Sequence, residues 1–113
     1  MELKEDEPVY QISVAAKLVE MHPQTLRMYE RQGLVSPKRT RRNIRLYSQR
    51  DIEQLLQIQR LTQEMGVNLA GVEVILELLA KMDQMRREME EQMERMRSRL
   101  RKVAGVRQVE IGD

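Results

Sequence analysis

The 113-residue sequence contains no cysteine, no phenylalanine and no tryptophan, and His22 is its single histidine. Without cysteine there is no disulfide, thiol catalysis or thiolate metal ligand, and one histidine cannot build a zinc site without unusual help from carboxylates. No apolar run approaches the roughly 20 residues of a membrane span, and the acidic N-terminus differs from a signal peptide. We therefore expect a cytoplasmic protein with no metal, no cofactor and no membrane contact.

The sequence also lacks a recognisable catalytic set. Covalent catalysis needs a nucleophile, a base and an orienting group, and no such combination is evident. His22 has no second catalytic group near it in sequence, so helix capping or packing is a better interpretation of this residue than ligand or general base. We predict that the protein is not an enzyme.

Charged and aliphatic residues make up most of the chain. Charged residues account for 34% of it and hydrophobic residues for 41%, and the latter include nine methionines and only three tyrosines. Such a composition suits helices better than sheets. The length allows one small domain plus an extension, and self-association would add stability.

Positive charge is concentrated in one stretch of the chain. Residues 31–50 carry seven Lys or Arg residues and no acid, although the net charge of the whole chain is only +2. A concentrated basic surface is the electrostatic footprint of polyanion binding. Function is therefore expected around this stretch.

Two short helices are predicted at the start of the domain. The first covers Ser13 to Met21, with Ser13 as its N-cap. The second begins at Pro23, because proline is favoured at the first helical position and His22 can cap it, and it ends at Gly33.

A small hairpin and a third helix follow. Residues 34–47 predict a hairpin with a basic tip, and Ser48 and Asp51 have the spacing of a capping box that opens a helix ended by Gly66. Helix, tight turn, helix and basic hairpin is the order of a winged helix-turn-helix. In that fold the second helix enters the major groove of DNA and the wing follows the backbone.

One side of the second helix is chemically able to read bases. It carries Gln24, Arg27, Met28 and Arg31. Arginine can pair with guanine, glutamine with adenine, and methionine can touch a thymine methyl group. Taken alone, Arg27 and Arg31 fit a solvated helix face better, but the adjacent acid-free hairpin favours DNA contact.

The hairpin supplies the candidate backbone contacts. Its four arginines within seven residues could simply keep it soluble, but their density without an acid favours phosphate binding. They are Arg39, Arg41, Arg42 and Arg45. For Tyr29 and Tyr47, core packing with an exposed hydroxyl and a phosphate contact are both open.

From Leu69 to about Val103 the sequence predicts a long helix with a coiled-coil seam. Apolar residues recur at alternating spacings of three and four, and Arg86 is the single break in the seam. The predicted dimerisation residues are Met82, Met89, Met93, Met96, Leu100 and Val103.

Charge along this helix favours antiparallel pairing. Residues 82–94 hold five acids and two bases, whereas residues 95–107 hold six bases and no acid. A parallel homodimer would align like charges, while an antiparallel homodimer would place each half against its opposite.

Several sequence runs resemble the MerR family of transcription regulators. They are ISVAA at 12–16, HPQTLRMYE at 22–30, GLVSP at 33–37 and RLYS at 45–48. Within the family, HPQTLR and GVNLAGVEVILEL at 66–78 resemble the heat-shock repressor branch, HspR. The likeness covers about residues 9–79, and the remainder resembles only a helical dimerisation arm.

The resemblance implies a fold, a function and partners. The fold is mainly α, a winged helix-turn-helix with a small β-hairpin wing and a long C-terminal coiled-coil dimerisation helix. The implied function is that of a homodimeric repressor of chaperone operons on an inverted-repeat operator in double-stranded DNA, with the chaperone DnaK as a candidate co-repressor.

The resemblance also implies roles for individual residues. By position, Gln24 and Arg27 would read bases and Tyr29 would contact phosphate. Thr25 would support the recognition helix or touch phosphate. The implied wing contacts are Arg39, Arg45 and Tyr47.

Three departures from the family pattern bear on these roles. Glu20 stands where relatives often have glycine, and a left-handed conformation there would cost a non-glycine residue about 1 to 2 kcal/mol, so the turn could differ. The wing tip at 41–44 lacks the usual glycines, and Asn43 is the residue best suited to a positive backbone angle. The C-terminal arm has no cysteine ligands and no sizeable effector domain, which favours the repressor branch.

The sequence predicts four segments, and two alternative functions remain open. The segments are a flexible arm over 1–8, the winged helix-turn-helix DNA-binding domain over 9–80, the antiparallel coiled-coil helix over 81–104 and a tail over 105–113. One alternative is a MerR-type activator or repressor of another stress regulon. The other is a coiled-coil module whose basic hairpin binds an acidic protein or RNA.

Overall fold

The computed structural model describes residues 4–111, with side chains up to residue 105, and it is mainly helical. The helices are α1 (Ile12–Val19), α2 (Pro23–Arg31), α3 (Gln49–Gln59) and α4 (Leu69–Ile111). The strands are β1 (Tyr10–Gln11), β2 (Lys38–Arg39) and β3 (Arg45–Tyr47), which form an antiparallel sheet in the order β1-β3-β2. The predicted mainly α winged helix-turn-helix with a long C-terminal helix is confirmed.

The first helix begins earlier than its sequence suggests. Gln11 occupies the N-cap position without a side-chain hydrogen bond, so the prediction that Ser13 caps this helix was wrong. The reason is that α1 follows directly on β1, which fixes the start of the helix through pairing of Tyr10 with Tyr47 in β3. A strand at this position was not predicted.

The turn between α1 and α2 keeps a left-handed residue although that residue is not glycine. Glu20 has φ 54° and ψ 44°, and its N–H donates to the carbonyls of Ala16 and Lys17. The hydrogen bonds at the end of α1 thus hold a conformation that costs a residue with a Cβ about 1 to 2 kcal/mol. The possible change of turn geometry is not found.

Local capping signals are confirmed in the other helices. His22 Nδ1 accepts a hydrogen bond from the backbone N–H of Gln24 at 3.0 Å, and Pro23 follows as the first residue of α2. Ser48 and Asp51 form the reciprocal capping box of α3. Each cap satisfies backbone N–H groups that a helix start leaves without a partner.

The end of α3 widens into a π-helical turn over Arg60–Glu64, a feature that was not predicted. The N–H of Met65 donates to the carbonyl of Arg60 at 3.1 Å, and the Thr62 hydroxyl donates to the carbonyl of Ile58 at 3.0 Å. Gly66, with φ 67°, then ends the helix as expected.

The last helix begins at an asparagine cap and runs past its predicted end. Asn68 Oδ1 accepts from the N–H of Gly71 at 2.8 Å. The helix continues beyond Val103 through Gly105, since a single glycine costs a helix only about 1 kcal/mol and no proline follows. Within the described part of the chain, no helix combines the length and apolar character needed to cross a membrane.

The chain divides into two compact units, one reaching to Val74 and the other starting at Ile75. The first unit has a core drawn from every helix and from β3. Its fully buried large side chains are Tyr47, Leu26, Leu55, Ile58, Val19 and Val72. This core fixes the second helix and the hairpin, the two elements of the predicted site, on one scaffold.

Candidate nucleic-acid interface

The four predicted base-facing residues lie on one side of α2, at helical spacings of three and four. They are Gln24, Arg27, Met28 and Arg31, of which the first and last are exposed and the middle two half-buried. The opposite side carries Leu26 and Tyr29, which are buried in the core. Core packing therefore turns the polar side of the helix outward.

Thr25 lies at the edge of this face, half-buried, with its backbone N–H donating to the carbonyl of His22 at 2.9 Å. That bond belongs to the first turn of α2. Its position fits the predicted support of the helix start and leaves the side chain partly accessible.

The tyrosines lie deeper than the predicted DNA contacts require. Tyr29 is buried, and Tyr47 is completely buried, with a hydroxyl that has no hydrogen-bond partner among the described residues. Burial and the nearby Glu30 charge raise the pKa of Tyr47. The position predicted as a wing contact is a core residue at the base of the wing, because its ring faces inward from β3.

The wing tip forms without glycine. Thr40 and Ile44 close the turn through a backbone hydrogen bond of 2.9 Å, and the Thr40 hydroxyl accepts from the N–H groups of Arg42 and Ile44 at 3.2 Å each. Asn43 takes the positive angle, with φ 65°, as predicted. A threonine side chain and an asparagine thus replace the usual flexible glycines.

Three basic residues of the wing are exposed and have no ion-pair partner within the part of the chain that the structure describes. They are Lys38, Arg41 and Arg42. The last two lie in the turn at the tip, where their long side chains can reach a phosphate backbone. Lys38 was not among the predicted contacts, although it lies in the basic stretch.

The other two wing arginines are bound to one acid of the recognition helix. Arg39 pairs with Glu30 at 3.3 Å, and Arg45 donates to Glu30 Oε1 through Nε. Glu30 was missed as a site residue. One signal could have found it, since it is the sole acid between residues 21 and 50.

The acidic segment before β1 binds Arg50, another basic residue of the 31–50 stretch. The N–H of Arg50 donates to the carbonyl of Glu5 at 2.8 Å, and the two side chains form an exposed ion pair at 3.3 Å. Of the seven bases in residues 31–50, three are therefore paired within the chain. Residues 1–3 of the predicted arm lie outside the described residues.

The second unit presents the predicted seam on its surface. Its six seam residues, from Met82 to Val103, are 45 to 80% exposed. The same helix carries ion pairs on its surface. Arg86 contacts both Asp83 and Glu90 at 2.7 Å. Hydrogen bonds to these two acids raise the pKa of Arg86.

No cluster of three or more potential metal-ligating side chains occurs among the residues covered by the structure. The chemistry of the site is instead cationic and amide-bearing, with donors presented on a helix and on a hairpin. Such a surface can donate hydrogen bonds to base edges and phosphates.

The chain matches known sequences over most of its length. The model of MerR HTH family regulatory proteins matches residues 10–79. A Streptomyces coelicolor protein named as heat shock protein HspR is 62% identical over 77 residues, which cover 68% of this chain and 51% of that protein. The HTH-type transcriptional regulator GlnR of Bacillus anthracis is 34% identical over 104 residues, which cover 89% of this chain and 80% of the regulator. This chain thus spans about half the length of the HspR relative.

Two solved structures share the fold, each with a TM-score of 0.60. HiNmlR, a MerR family regulator lacking the sensor domain and bound to promoter DNA, is 22% identical over 88% of this chain and 76% of that chain. PbrR691 from Ralstonia metallidurans CH34, in complex with lead(II), is 24% identical over 88% of this chain and 87% of that chain. At these identities the likeness shows the fold alone.

The family match covers more than half of the chain and contains both the α2 face and the wing. The resemblance inferred from the sequence, including its HspR branch, is therefore confirmed. The chain belongs to the MerR family of helix-turn-helix regulatory proteins, which are DNA-binding transcription regulators and not enzymes.

Proposed function

We propose that this protein is a sequence-specific, dimeric repressor of heat-shock or chaperone genes that binds an inverted-repeat operator. The observation that carries DNA binding is the placement of the outward face of α2 beside a wing with exposed, unpaired cations among the described residues. The assignment to heat-shock genes is supported by the 62% identity to the Streptomyces coelicolor HspR protein. The chaperone DnaK is the candidate co-repressor, and the nucleoid in the cytoplasm is the expected location.

In this proposal the α2 face reads sequence. Gln24 and Arg27 donate to base edges in the major groove, Met28 contacts a thymine methyl group, and Arg31 lies where the helix meets the wing. Bidentate contacts of this kind discriminate against a wrong base by about 1 to 3 kcal/mol each.

The wing holds the DNA backbone and adds little sequence information. Arg41 and Arg42 are the strongest candidates, because both are exposed and lie in the turn at the tip. Thr25 is assigned to the edge of the interface, where its hydroxyl group could donate to phosphate, whereas Tyr29 is buried on the opposite side of α2 and supports the helix from the core. The half-sites of the operator would then lie about one helical turn apart, roughly 34 Å.

The dimer is proposed to form through the exposed seam of α4, paired antiparallel with a second copy. Exposed apolar side chains repeating along one helix need a partner, and the acidic and basic halves of the helix complement each other only in that direction. Because Arg86 is held by Asp83 and Glu90 on its own helix, it adds charge rather than apolar contact at its seam position.

Single cysteines test the direction of pairing. A cysteine replacing Met93, near the boundary of the two charged halves, should cross-link readily to its own copy. A cysteine replacing Val103 should not, since an antiparallel partner places Val103 far from its counterpart. Ready disulfide formation at position 103, with little at 93, would contradict the antiparallel dimer.

Gel shifts test DNA recognition itself. We expect tight binding to promoter DNA from upstream of the protein's own gene, much weaker binding to the same DNA scrambled, and weak binding to RNA. Equal affinity for all three would favour the alternative of a coiled-coil module that binds acidic polymers without reading sequence.

A MerR-type regulator of another regulon is the second candidate. The GlnR match supports it, because that match extends over 89% of this chain, further than the HspR match does. Binding to chaperone promoters against binding to other promoters of the same genome separates the two candidates.

A further inference from the structure

We infer that Glu30 is a positioning residue that fixes the wing against the recognition helix, and that Arg39 and Arg45 act through Glu30 instead of binding phosphate independently. The inference rests on the proposed DNA-binding function. It departs from the sequence-based assignment of these two arginines as wing contacts.

The first observation is the geometry of the cluster. Glu30 lies at the end of α2, and its carboxylate meets Arg39 from β2 and Arg45 from β3. The Glu30 and Arg45 side chains are only 20 and 22% exposed, so water screens this contact less than it would a surface pair. One carboxylate thereby joins α2, β2 and β3. The two arginines follow Glu30 by 9 and 15 residues in sequence.

The second observation is the register of the hairpin. Arg39 and Arg45 are direct cross-strand partners in the antiparallel pair of β2 and β3. Like charges directly opposite each other destabilise a hairpin. The carboxylate of Glu30 lies against both arginines and offsets this repulsion, which favours pairing of the two short strands.

The third observation connects the cluster to the wing tip. Arg39 donates from Nη1 to the carbonyl of Asn43 at 3.2 Å, while its Nη2 contacts Glu30. Asn43 is the tip residue with a positive φ angle. A continuous path of hydrogen bonds thus runs from α2 to the tip, which sets where Arg41 and Arg42 point.

A positioning role for Glu30 and a purely electrostatic role predict different effects of removing its charge. Replacing Glu30 with glutamine raises the net charge by one, and Coulomb attraction alone would then strengthen DNA binding. Loss of the wing position would weaken operator binding instead. The two explanations therefore predict opposite changes in operator affinity for Glu30→Gln.

The test compares Glu30→Gln with Glu53→Gln, a matched variant of an exposed acid on α3 that makes the same charge change. Glu30→Gln should bind the operator roughly tenfold more weakly, the order expected for losing a charge-assisted hydrogen bond, and should also bind scrambled DNA more weakly, because the wing holds the backbone of any sequence. Glu53→Gln should bind the operator at least as well as the wild type. Operator binding by Glu30→Gln equal to that of Glu53→Gln would overturn the inference.

A double-mutant cycle tests whether Arg45 acts through Glu30. Arg45→Gln and Glu30→Gln should each weaken operator binding, and the double variant should be no weaker than Glu30→Gln alone. Additive losses would instead make Arg45 a phosphate contact that acts independently of Glu30.

Hydrogen exchange gives a measurement that needs no DNA. The amides of Thr40 and Asn43, which close the wing tip, should exchange faster in Glu30→Gln, while the Val72 amide at the start of α4 should be unchanged. Unchanged tip amides would overturn the inference even if DNA binding fell. Failure of the wild type to prefer operator DNA would instead overturn the proposed function and leave the exchange result to decide the role of Glu30.

Discussion

The recognition helix and the wing are both basic, yet they hold their charges differently. On α2, Arg27 and Arg31 make no ion pair with any described residue, whereas in the wing two of the four arginines are bound to Glu30. Charge density along the sequence is therefore a poor measure of how many phosphates a surface binds. A basic residue can serve the interface by shaping it as well as by touching DNA.

The recognition helix α2 and the wing also differ in how the fold holds them in place. The α2 face is fixed by buried residues on the opposite side of a regular helix, so its side chains keep their spacing. The wing consists of strands of two and three residues, which cannot be stable alone. Pairing of β3 with β1 anchors the base of the wing, and in the inference above Glu30 fixes the wing against α2.

The largest effect that separates the two regions is expected at Arg27. Arg27→Ala should weaken operator binding by about 1 to 3 kcal/mol per half-site while random-sequence binding changes little, because the arginine donates to base edges in this proposal. Titrations on operator and scrambled DNA at one salt concentration measure the difference. Equal weakening on both DNAs would remove Arg27 from base reading.

A smaller and more uniform effect is expected at the wing tip. Replacing both Arg41 and Arg42 with alanine should weaken binding to all sequences and flatten its salt dependence, by up to about one in slope for each arginine that binds a phosphate. Binding constants measured at several salt concentrations give the slope. An unchanged slope would mean that the tip does not engage phosphate.

The smallest effect concerns the residue beneath the wing. Tyr47→Phe removes a buried hydroxyl without a hydrogen-bond partner among the described residues, so we expect it to stabilise the fold by about 1 kcal/mol. Operator affinity should stay the same, because the hydroxyl is enclosed. A clear decrease in affinity would return Tyr47 to the residues that touch DNA.

Alkaline denaturation adds a pH test of the same residue. Burial raises the pKa of Tyr47 in the folded protein, so the folded state holds this proton more tightly than the unfolded state. Stability should be complete below the unfolded value of about 10 and should fall as pH rises through the folded value. Urea unfolding at several pH values should show a shallower decline in Tyr47→Phe.

Local signals explain why part of the fold could be predicted. The caps at His22 and Ser48 each act within three residues, and the positive angle of Asn43 follows from its own side chain. Such features depend only on short stretches of sequence. The helices and the hairpin followed from them together with apolar periodicity.

Long-range interactions explain what could not be predicted. The pairing of β1 with β3 joins Tyr10 to Tyr47, and the Glu30 cluster joins the end of α2 to two strands. No spacing rule links such positions in advance. The left-handed Glu20 was also unexpected, because the hydrogen bonds at the end of α1 outweigh the conformational preference of a single residue.

The central claim is that two copies of α2 read two half-sites of one operator. Footprinting upstream of the protein's own gene, with and without heat, tests it most directly. We predict two protected half-sites in inverted repeat, about one helical turn or roughly 34 Å apart, with protection absent in Arg27→Ala. Protection without an inverted repeat, or protection that Arg27→Ala retains, would contradict this account.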